Sequence, residues 1–169
     1  MKSAVTIGIE WFRFSKLQLD LPQMMEIEQL CYGQRAWTLQ TMEQVLYEPR
    51  TQVRVAVDPS FRMAGYLIVR PGESRGPYGP TFRWLEIANL AVHPSCWKQG
   101  VARALVADRM KWAVSRGLDA VAANVLSVNP ACDFFRKVGF RAQRVLRDRY
   151  SIGVIRFVVR LTDRPLQLD

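Results

Sequence analysis

The sequence has few of the residues that bind structural metals or form disulfide frameworks. It contains one histidine and three cysteines among 169 residues, and Cys31, Cys96 and Cys132 show no Cys-x-x-Cys spacing. Neither a disulfide-stabilised secreted domain nor a zinc site is expected, and no metal ligands are predicted. We expect the cysteines to be reduced thiols in a cytoplasmic protein.

Long apolar runs are also absent. No run approaches the roughly 18 apolar residues that a membrane-spanning helix needs. The N-terminal MKSAVTIGIEWFRF has a short apolar run interrupted by Glu10, with no small-residue cleavage pattern after it. The sequence therefore predicts no membrane anchor and no secretory signal.

Acidic residues are scarce relative to basic ones. The chain has 24 Lys and Arg against 15 Asp and Glu, a formal charge of +9. This excess favours an anionic partner such as a phosphorylated cofactor, an acidic substrate or nucleic acid, although solubility explains it equally well. The aromatic residues do not interleave with the basic ones as a base-stacking platform requires. A nucleic-acid-binding domain is therefore the last of the alternatives.

The pattern of apolar residues predicts one α/β or α+β domain over residues 1–169, with helices on both faces of a mixed sheet. The predicted order is β-α-α-β-β-β-α-β-α-β-β, with a Gly/Pro-rich loop at 71–80. Residues 82–126 should form a right-handed parallel strand-helix-strand unit. Strands are predicted at 9–19, 51–58, 61–70, 82–92, 118–126, 140–149 and 151–161, and helices at 20–32, 38–48, from the residues after Gly100 to Gly117, and at 129–138.

The stretch SCWKQGVARALV, residues 95–106, places small residues just before a strongly helical run. The helix should bury Leu105, Val106, Met110, Ala113 and Val114. Its first amides have no partner within the helix and lie at the positive end of the helix dipole, so they bind anions when side chains leave them accessible. Gly100 and Ala102 remove bulk there, and Lys98 adds charge. A diphosphate suits this site, although a glycine that only shapes a turn is the alternative.

This stretch resembles the acetyl-CoA loop of the Gcn5-related N-acetyltransferases, the GNAT superfamily. That loop follows a strand ending in Val-x-Pro and has the pattern Gln/Arg-x-x-Gly-x-Gly/Ala. A second segment, NPACDFFRKVGF at 129–140, is similar to the family's Asn…Ala…Tyr-x-x-x-Gly-Phe motif. The matching residues are Val92, Pro94, Gly100, Ala102, Asn129, Ala131, Gly139 and Phe140, while Trp97 stands where the family prefers Gln or Arg.

The resemblance implies a GNAT fold, with a mixed, mostly antiparallel sheet of about seven strands flanked by about four helices. It also implies that acetyl-CoA is the cofactor. Main-chain groups of Leu90 and Val92, with Ala91 between them, would hold the thioester carbonyl and the pantetheine. Asn129 would contact the pantetheine arm, and Phe135 is also placed among the cofactor-binding residues. The pyrophosphate would be bound by the amides of Trp97, Lys98, Gln99, Gly100, Val101 and Ala102.

Two templates within the superfamily suggest different catalytic residues. LEIANLAV resembles the central strand of the histone acetyltransferases, whose glutamate is the general base, and this implies Glu86 as the base. The segments AWT at 36–38 and RDRY at 147–150 resemble the ribosomal-protein N-terminal acetyltransferases. That subfamily's base and acid correspond here to Asn124 and Phe135, neither of which can transfer a proton.

The sequence therefore predicts an acetyl-CoA-dependent N-acetyltransferase in which a primary amine attacks directly, with Glu86 as base. Tyr150 is the candidate proton donor or substrate-positioning hydroxyl, and Trp37 the candidate wall of the acceptor pocket. A peptide or protein N-terminus is the favoured acceptor. A non-catalytic acyl-CoA-binding module and a small-molecule amine acetyltransferase remain as alternatives, and the chain is expected to be a monomer or homodimer.

Overall fold

The computed structural model describes residues 8–11, 17–60, 62–75, 79–147 and 153–161. Its strands are β1 (Gly8–Trp11), β2 (Gln52–Val57), β3 (Met63–Ser74), β4 (Phe82–Val92), β5 (Ala120–Leu126), β6 (Arg141–Arg147) and β7 (Gly153–Arg160). Its α-helices are α1 (Leu17–Tyr32), α2 (Leu39–Tyr47), α3 (Val101–Ser115) and α4 (Ala131–Lys137). The predicted order of strands and helices is confirmed.

The strands form a seven-stranded sheet in the order β1-β2-β3-β4-β5-β7-β6. The pairs β1–β2, β2–β3, β5–β7 and β6–β7 are antiparallel, and β4–β5 is parallel. The predicted parallel strand-helix-strand unit is therefore confirmed. The sheet is mixed and mostly antiparallel, with four α-helices, as the fold prediction stated. In the described part of the chain, no helix is both long and apolar enough to cross a membrane.

Three local predictions are wrong. The helix expected to start at Asp20 already begins at Leu17, so the strand predicted for 9–19 is too long and Pro22 lies inside α1. The apolar spacing Leu21, Met24 and Ile27, all buried, continues through the proline. Helical packing therefore outweighs the loss of one backbone donor.

The other two corrections concern β3 and α3. β3 runs to Ser74, so the first part of the predicted 71–80 loop is a strand. On α3, the side chain of Val114 is exposed rather than buried, whereas the unpredicted Arg109 is buried. Residue spacing alone does not show whether a position at the edge of a helix's apolar face is buried, because that face has no sharp boundary.

The chain divides into two compact units, which are described separately. The first unit contains Met1–Val69 and Asn89–Asp108, and the second contains Arg70–Ala88 and Arg109–Asp169. In the first unit, the buried residues come from α1, α2, β2, β3 and the start of α3. They include Met24, Ile27, Met42, Val55, Tyr66, Leu67, Ile68 and Leu105.

In the second unit, a group of phenylalanines packs between α4 and β7. The ring of Phe135 lies 5.7 Å from that of Phe157 in a stacked arrangement, and 5.1 Å from that of Phe140 edge-to-face. On the other face of β5, Ala120 and Ala122 form a small buried cluster with Val158. Phe157 and Val158 are consecutive residues of β7, so alternation along that strand assigns the two groups to opposite faces of the sheet.

Candidate active site

The loop between β4 and α3 has an unusual backbone. A short 3₁₀ helix, Pro94–Cys96, is followed by a turn in which Lys98 has φ 61° and Gly100 has φ 84°. A Cβ at Gly100 would meet no atom within 4 Å, so this position needs glycine for its left-handed backbone and not for space. Left-handed residues in a turn bring successive N–H groups together into a concave anion-binding surface.

Side chains and backbone groups hold this loop in place. The amide of Ser95 donates to Nδ1 of His93 at 3.2 Å, and Nε2 of Gln99 donates to the carbonyl of Ser95 at 2.9 Å. The amide of Trp97 donates to the carbonyl of Pro94. His93 therefore fixes the turn, and the amide of Trp97, predicted to bind pyrophosphate, already has an acceptor.

Main-chain groups of Leu90 and Val92 are predicted to hold the cofactor, and the carbonyls of both residues accept hydrogen bonds from side chains. Tyr32 Oη donates to the Leu90 carbonyl at 2.6 Å. The Val92 carbonyl accepts from Trp97 Nε1 at 2.7 Å and from Cys31 Sγ at 3.2 Å. α1 and the loop thus reach the same short segment of β4 in the first unit.

Sequence reasoning missed a buried carboxylate beside this segment. Glu28 on α1 is 1% exposed and accepts hydrogen bonds from Tyr66 Oη, from Asn89 Nδ2 at 3.0 Å and from the Trp37 amide at 2.8 Å. Both carboxylate oxygens are used. The only signal in the sequence was a glutamate directly after the apolar Ile27, where periodicity continues the buried stripe.

The two phenols near Glu28 stay protonated. Burial, and after it the negative charge of Glu28, raises the pKa of Tyr32 and of Tyr66 well above that of a free tyrosine. Burial likewise raises the pKa of the Cys31 thiol. The side chains that reach Leu90 and Val92 are therefore uncharged donors, and Cys31 has little thiolate character.

Trp37, the predicted wall of the acceptor pocket, follows directly from this cluster. Its amide is held by Glu28, and its side chain is partly exposed. Thr38 then caps α2, because its hydroxyl accepts from the amide of Thr41. The connection between α1 and α2 is thus anchored at both ends, which gives Trp37 a fixed position.

Glu86 lies on β4 in the second unit, surrounded by hydrogen-bond donors. Oε1 accepts from Asn124 Nδ2 at 3.0 Å and from Arg156 at 3.3 Å, and Oε2 accepts from Trp84 Nε1 at 2.9 Å and from Arg156 at 3.2 Å. The Glu86 side chain is 20% exposed. It is a solvent-accessible carboxylate whose four acceptor positions are all in use.

Asn124 therefore has a clear role. Its amide nitrogen donates to Glu86, while its carbonyl oxygen accepts from Arg156 at 3.2 Å. An aspartate at this position would add a second negative charge against Glu86. The asparagine instead joins the carboxylate and the guanidinium into one neutral network.

The second motif is built around packing. The Asn129 side chain accepts from the amide of Ala131 at 2.8 Å, which satisfies a free donor at the start of α4. Its amide nitrogen is the group left to bind a ligand. Phe135 is 3% exposed within the phenylalanine group, so it is a core residue with little surface to offer a cofactor.

The predicted proton donor, Tyr150, lies outside the described residues. His93, in contrast, is described and serves as a turn residue. Cys132 is buried, and burial raises the pKa of its thiol. Neither His93 nor Cys132 has the surroundings of a nucleophile.

The comparisons with known proteins agree with this architecture. The family model described as "Acetyltransferase (GNAT) family" matches residues 21–140. No curated protein matches the sequence. Among solved structures, the ribosomal-protein-S18-alanine N-acetyltransferase from Escherichia coli is similar at 19% identity and a TM-score of 0.73, covering 97% of this chain and 99% of that one.

Two further solved structures are similar over nearly their whole length. NAA60 from Arabidopsis thaliana, in complex with acetyl-CoA, is 19% identical with a TM-score of 0.74, covering 92% of this chain and 99% of that one. The aminoglycoside 6'-N-acetyltransferase from Enterococcus faecium is 17% identical with a TM-score of 0.71, covering 94% and 99%. At these identities the likenesses show the fold. The family model covers most of the chain, and the protein belongs to the GNAT acetyltransferase family.

Proposed function

We propose that this protein transfers the acetyl group of acetyl-CoA to the α-amine of a peptide or protein, as a single catalytic domain. The observation that carries the proposal is the β4–α3 loop. Left-handed residues at Lys98 and Gly100 lead directly into a 15-residue helix. The amides from Lys98 to Ala102, the helix dipole and the lysine charge together suit a diphosphate.

The other proposed cofactor contacts are on β4 and in the turn before α4. The main chain of Leu90, Ala91 and Val92 would hold the acyl and pantetheine portions, and the amide nitrogen of Asn129 the pantetheine arm. The cofactor supplies the thioester, whose carbonyl carbon the amine attacks. A C–N bond forms and the C–S bond breaks, so the sulfur leaves as thiolate and the amine loses one proton.

Glu86 is proposed as the acceptor of that proton. Arg156 and two neutral donors hold its carboxylate in place, and the exposed fifth of its side chain gives an amine access. Because all four acceptor positions are occupied, an incoming ammonium must replace one of the present donors. Glu86 is therefore a restrained base, better suited to an amine whose ammonium form loses its proton easily.

This restraint favours an α-amine as the acceptor. An α-amine with a pKa near 8 is neutral in about one molecule in ten at pH 7, whereas a lysine amine near 10.4 is neutral in about one in a few thousand. A thiolate with a reference pKa near 8.5 can leave without full protonation. The lack of a proton donor at Phe135, where the subfamily has its acid, therefore costs little in rate. Tyr150 is retained as the proposed donor or positioning hydroxyl.

The test combines cofactor binding with acetyl transfer. Calorimetric titration of the purified protein with acetyl-CoA and with CoA should show micromolar binding. Transfer to a panel of peptides with free N-termini should then fall at least a hundredfold in Glu86→Gln, with cofactor affinity unchanged. Glu26→Gln, which removes an exposed glutamate of α1, is the matched control and should behave as wild type.

The outcomes separate the alternatives. Binding without transfer to any amine would identify a non-catalytic acyl-CoA-binding module. Transfer to aminoglycosides or other small amines, but not to peptides, would identify a small-molecule acetyltransferase. Undetectable acetyl-CoA binding would overturn the proposal itself.

A further inference from the structure

A pocket of about 180 Å³ opens on one face of the sheet in the second unit. Its floor consists of Ala120 and Ala122 on β5 and Val158 on β7, and its walls include Phe82 and Trp84 on β4. The register pairs Ala122 with Val158, so the floor residues are neighbours on one face. Because two of these positions are alanines, the sheet surface is recessed between aromatic walls.

Two arginines lie over the aromatic walls. The guanidinium of Arg156 is 5.8 Å from the centre of the Trp84 ring, and that of Arg160 is 5.7 Å from the centre of the Phe82 ring. Stacking on an aromatic face orients a guanidinium and leaves the N–H groups at its edge available to a planar anion. The pocket therefore combines an apolar interior with a cationic rim.

The charges of the two arginines are not equivalent. Arg156 is paired with Glu86 through both of its terminal nitrogens. Within the residues that the structure describes, no carboxylate lies within ion-pair distance of Arg160, whose side chain is exposed. Among the described residues, the rim around the pocket thus carries one positive charge with no carboxylate paired to it, which a substrate carboxylate would complement.

The position of Trp84 is fixed from below. Gly72 on β3 lies against the indole, so closely that a Cβ there would be 2.5 Å from a ring carbon. The same indole donates to Glu86 at 2.9 Å. The pocket wall and the proposed base therefore share one rigid side chain, and a group in the pocket lies next to the amine that Glu86 would deprotonate.

We infer that this pocket is a subsite for an aspartate or glutamate side chain of the acceptor, close in sequence to the acetylated amine. The volume holds a group of about benzene size, which accommodates the short methylene stem and carboxylate of such a residue. The guanidinium of Arg160 can donate two parallel hydrogen bonds to the two oxygens of a carboxylate. The inference rests on the proposed function, since it names the acceptor class of that same site.

The test compares matched peptides that differ by one charge. Short peptides with a free N-terminus would carry glutamate or glutamine at the first, second or third position. We expect kcat/KM to be about tenfold higher for the glutamate member at one of these positions, since a charge-assisted hydrogen bond is being made or lost. The difference should appear in KM, because the subsite binds the substrate and takes no part in bond breaking.

Variants at the rim locate the effect. Arg160→Gln should abolish the preference for glutamate by lowering kcat/KM for the glutamate peptide to that for the glutamine peptide, and Arg160→Lys should restore part of the preference. Lys111→Gln removes one exposed positive charge from α3 and controls for net charge. An equal loss of preference in Lys111→Gln would assign the effect to long-range attraction and overturn the subsite.

A binding measurement decides the question without catalysis. The indole ¹⁵N–¹H resonance of Trp84, assigned by Trp84→Phe, should shift on titration with at least one of the three glutamate peptides and not with the glutamine peptide that matches it. If no peptide is acetylated, the proposed function fails while this titration still tests the subsite. Equal shifts with both peptides, no shift with either, or a shift that persists in Arg160→Gln would overturn the inference.

Discussion

The indole N–H of Trp97 donates to the carbonyl oxygen of Val92 at 2.7 Å. This bond folds the first residue of the cofactor loop back onto the end of β4. The carbonyl is one of the groups proposed to receive the pantetheine, so the indole and the cofactor compete for one acceptor. Trp97, which departs from the family pattern, is therefore expected to weaken cofactor binding.

Trp97→Phe should bind acetyl-CoA more tightly than wild type. The variant removes the competing donor and keeps an aromatic side chain at a half-exposed position. A hydrogen bond of about 0.5–1.5 kcal/mol corresponds to a gain of about two- to tenfold in affinity, measured by calorimetry. Trp112→Phe is the control for losing an indole elsewhere, and weaker binding by Trp97→Phe would refute the competition.

Tyr66→Phe should be less stable than wild type, by an amount that depends on pH. Removing the hydroxyl deprives buried Glu28 of a donor, which costs about 1–3 kcal/mol at pH 8. The pKa of Tyr66 is raised on folding from its ordinary value of 10.0, so its stabilising effect is complete below pH 10 and declines above it.

The difference in the free energy of unfolding between wild type and Tyr66→Phe should thus narrow by up to about 1.4 kcal/mol for each pH unit above 10. Urea unfolding at pH 8 and at pH 11 measures it. Tyr47→Phe, at an exposed tyrosine, is the matched control for losing a phenol. A gap that widens at pH 11 would contradict the raised pKa.

Glu28→Ala should lower the free energy of unfolding by about 3 kcal/mol or more. The substitution leaves a cavity and removes the acceptor for Tyr66, Asn89 and the Trp37 amide. Glu28→Gln keeps one acceptor oxygen and should cost less. Limited proteolysis gives a second readout, since cleavage between α1 and α2 should accelerate once Trp37 loses its anchor. Cleavage at the wild-type rate would mean that Trp37 is held by other contacts.

Gly72→Ala should destabilise the second unit and displace the Trp84 indole. The new methyl group would overlap the ring, and relief of such overpacking costs about 1–3 kcal/mol. Gly79→Ala is a suitable control, because a Cβ there meets no atom within 4 Å. Unfolding curves and the Trp84 indole resonance report the two effects. An unmoved resonance in Gly72→Ala would show that the backbone yields instead of the ring.

The order of strands and helices could be predicted because hydrophobic period is a local property. β2 alternates in residue type, β3 begins as a continuous apolar run, and α2 repeats every three to four residues, so the existence and type of these three elements were predictable. The boundaries that failed depended on packing. Pro22 marks a helix start in isolation, and only the burial of Leu21 beside it shows that the helix had already begun.

The site was predictable only where one short segment contains the information. A glycine at position 100 indicates a left-handed backbone conformation. Lys98 adopts the same conformation, although nothing in its residue type predicts it. The Glu28 cluster joins α1, β3 and β4, so no local pattern contains it. The resemblance predicts Glu86 as the base. Only the tertiary structure shows that Trp84, Asn124 and Arg156 occupy the acceptor positions of its carboxylate.

The contact between Gly72 and Trp84 links a backbone position on β3 to the hydrogen bonds of Glu86 on β4. Any side chain at 72 would turn the indole and remove a donor from Glu86, which would then depend more heavily on Arg156. Substitution at 72 would therefore change the hydrogen bonds of a carboxylate that it never touches. The hydrogen bonding of Glu86 thus depends on the absence of a single methyl group.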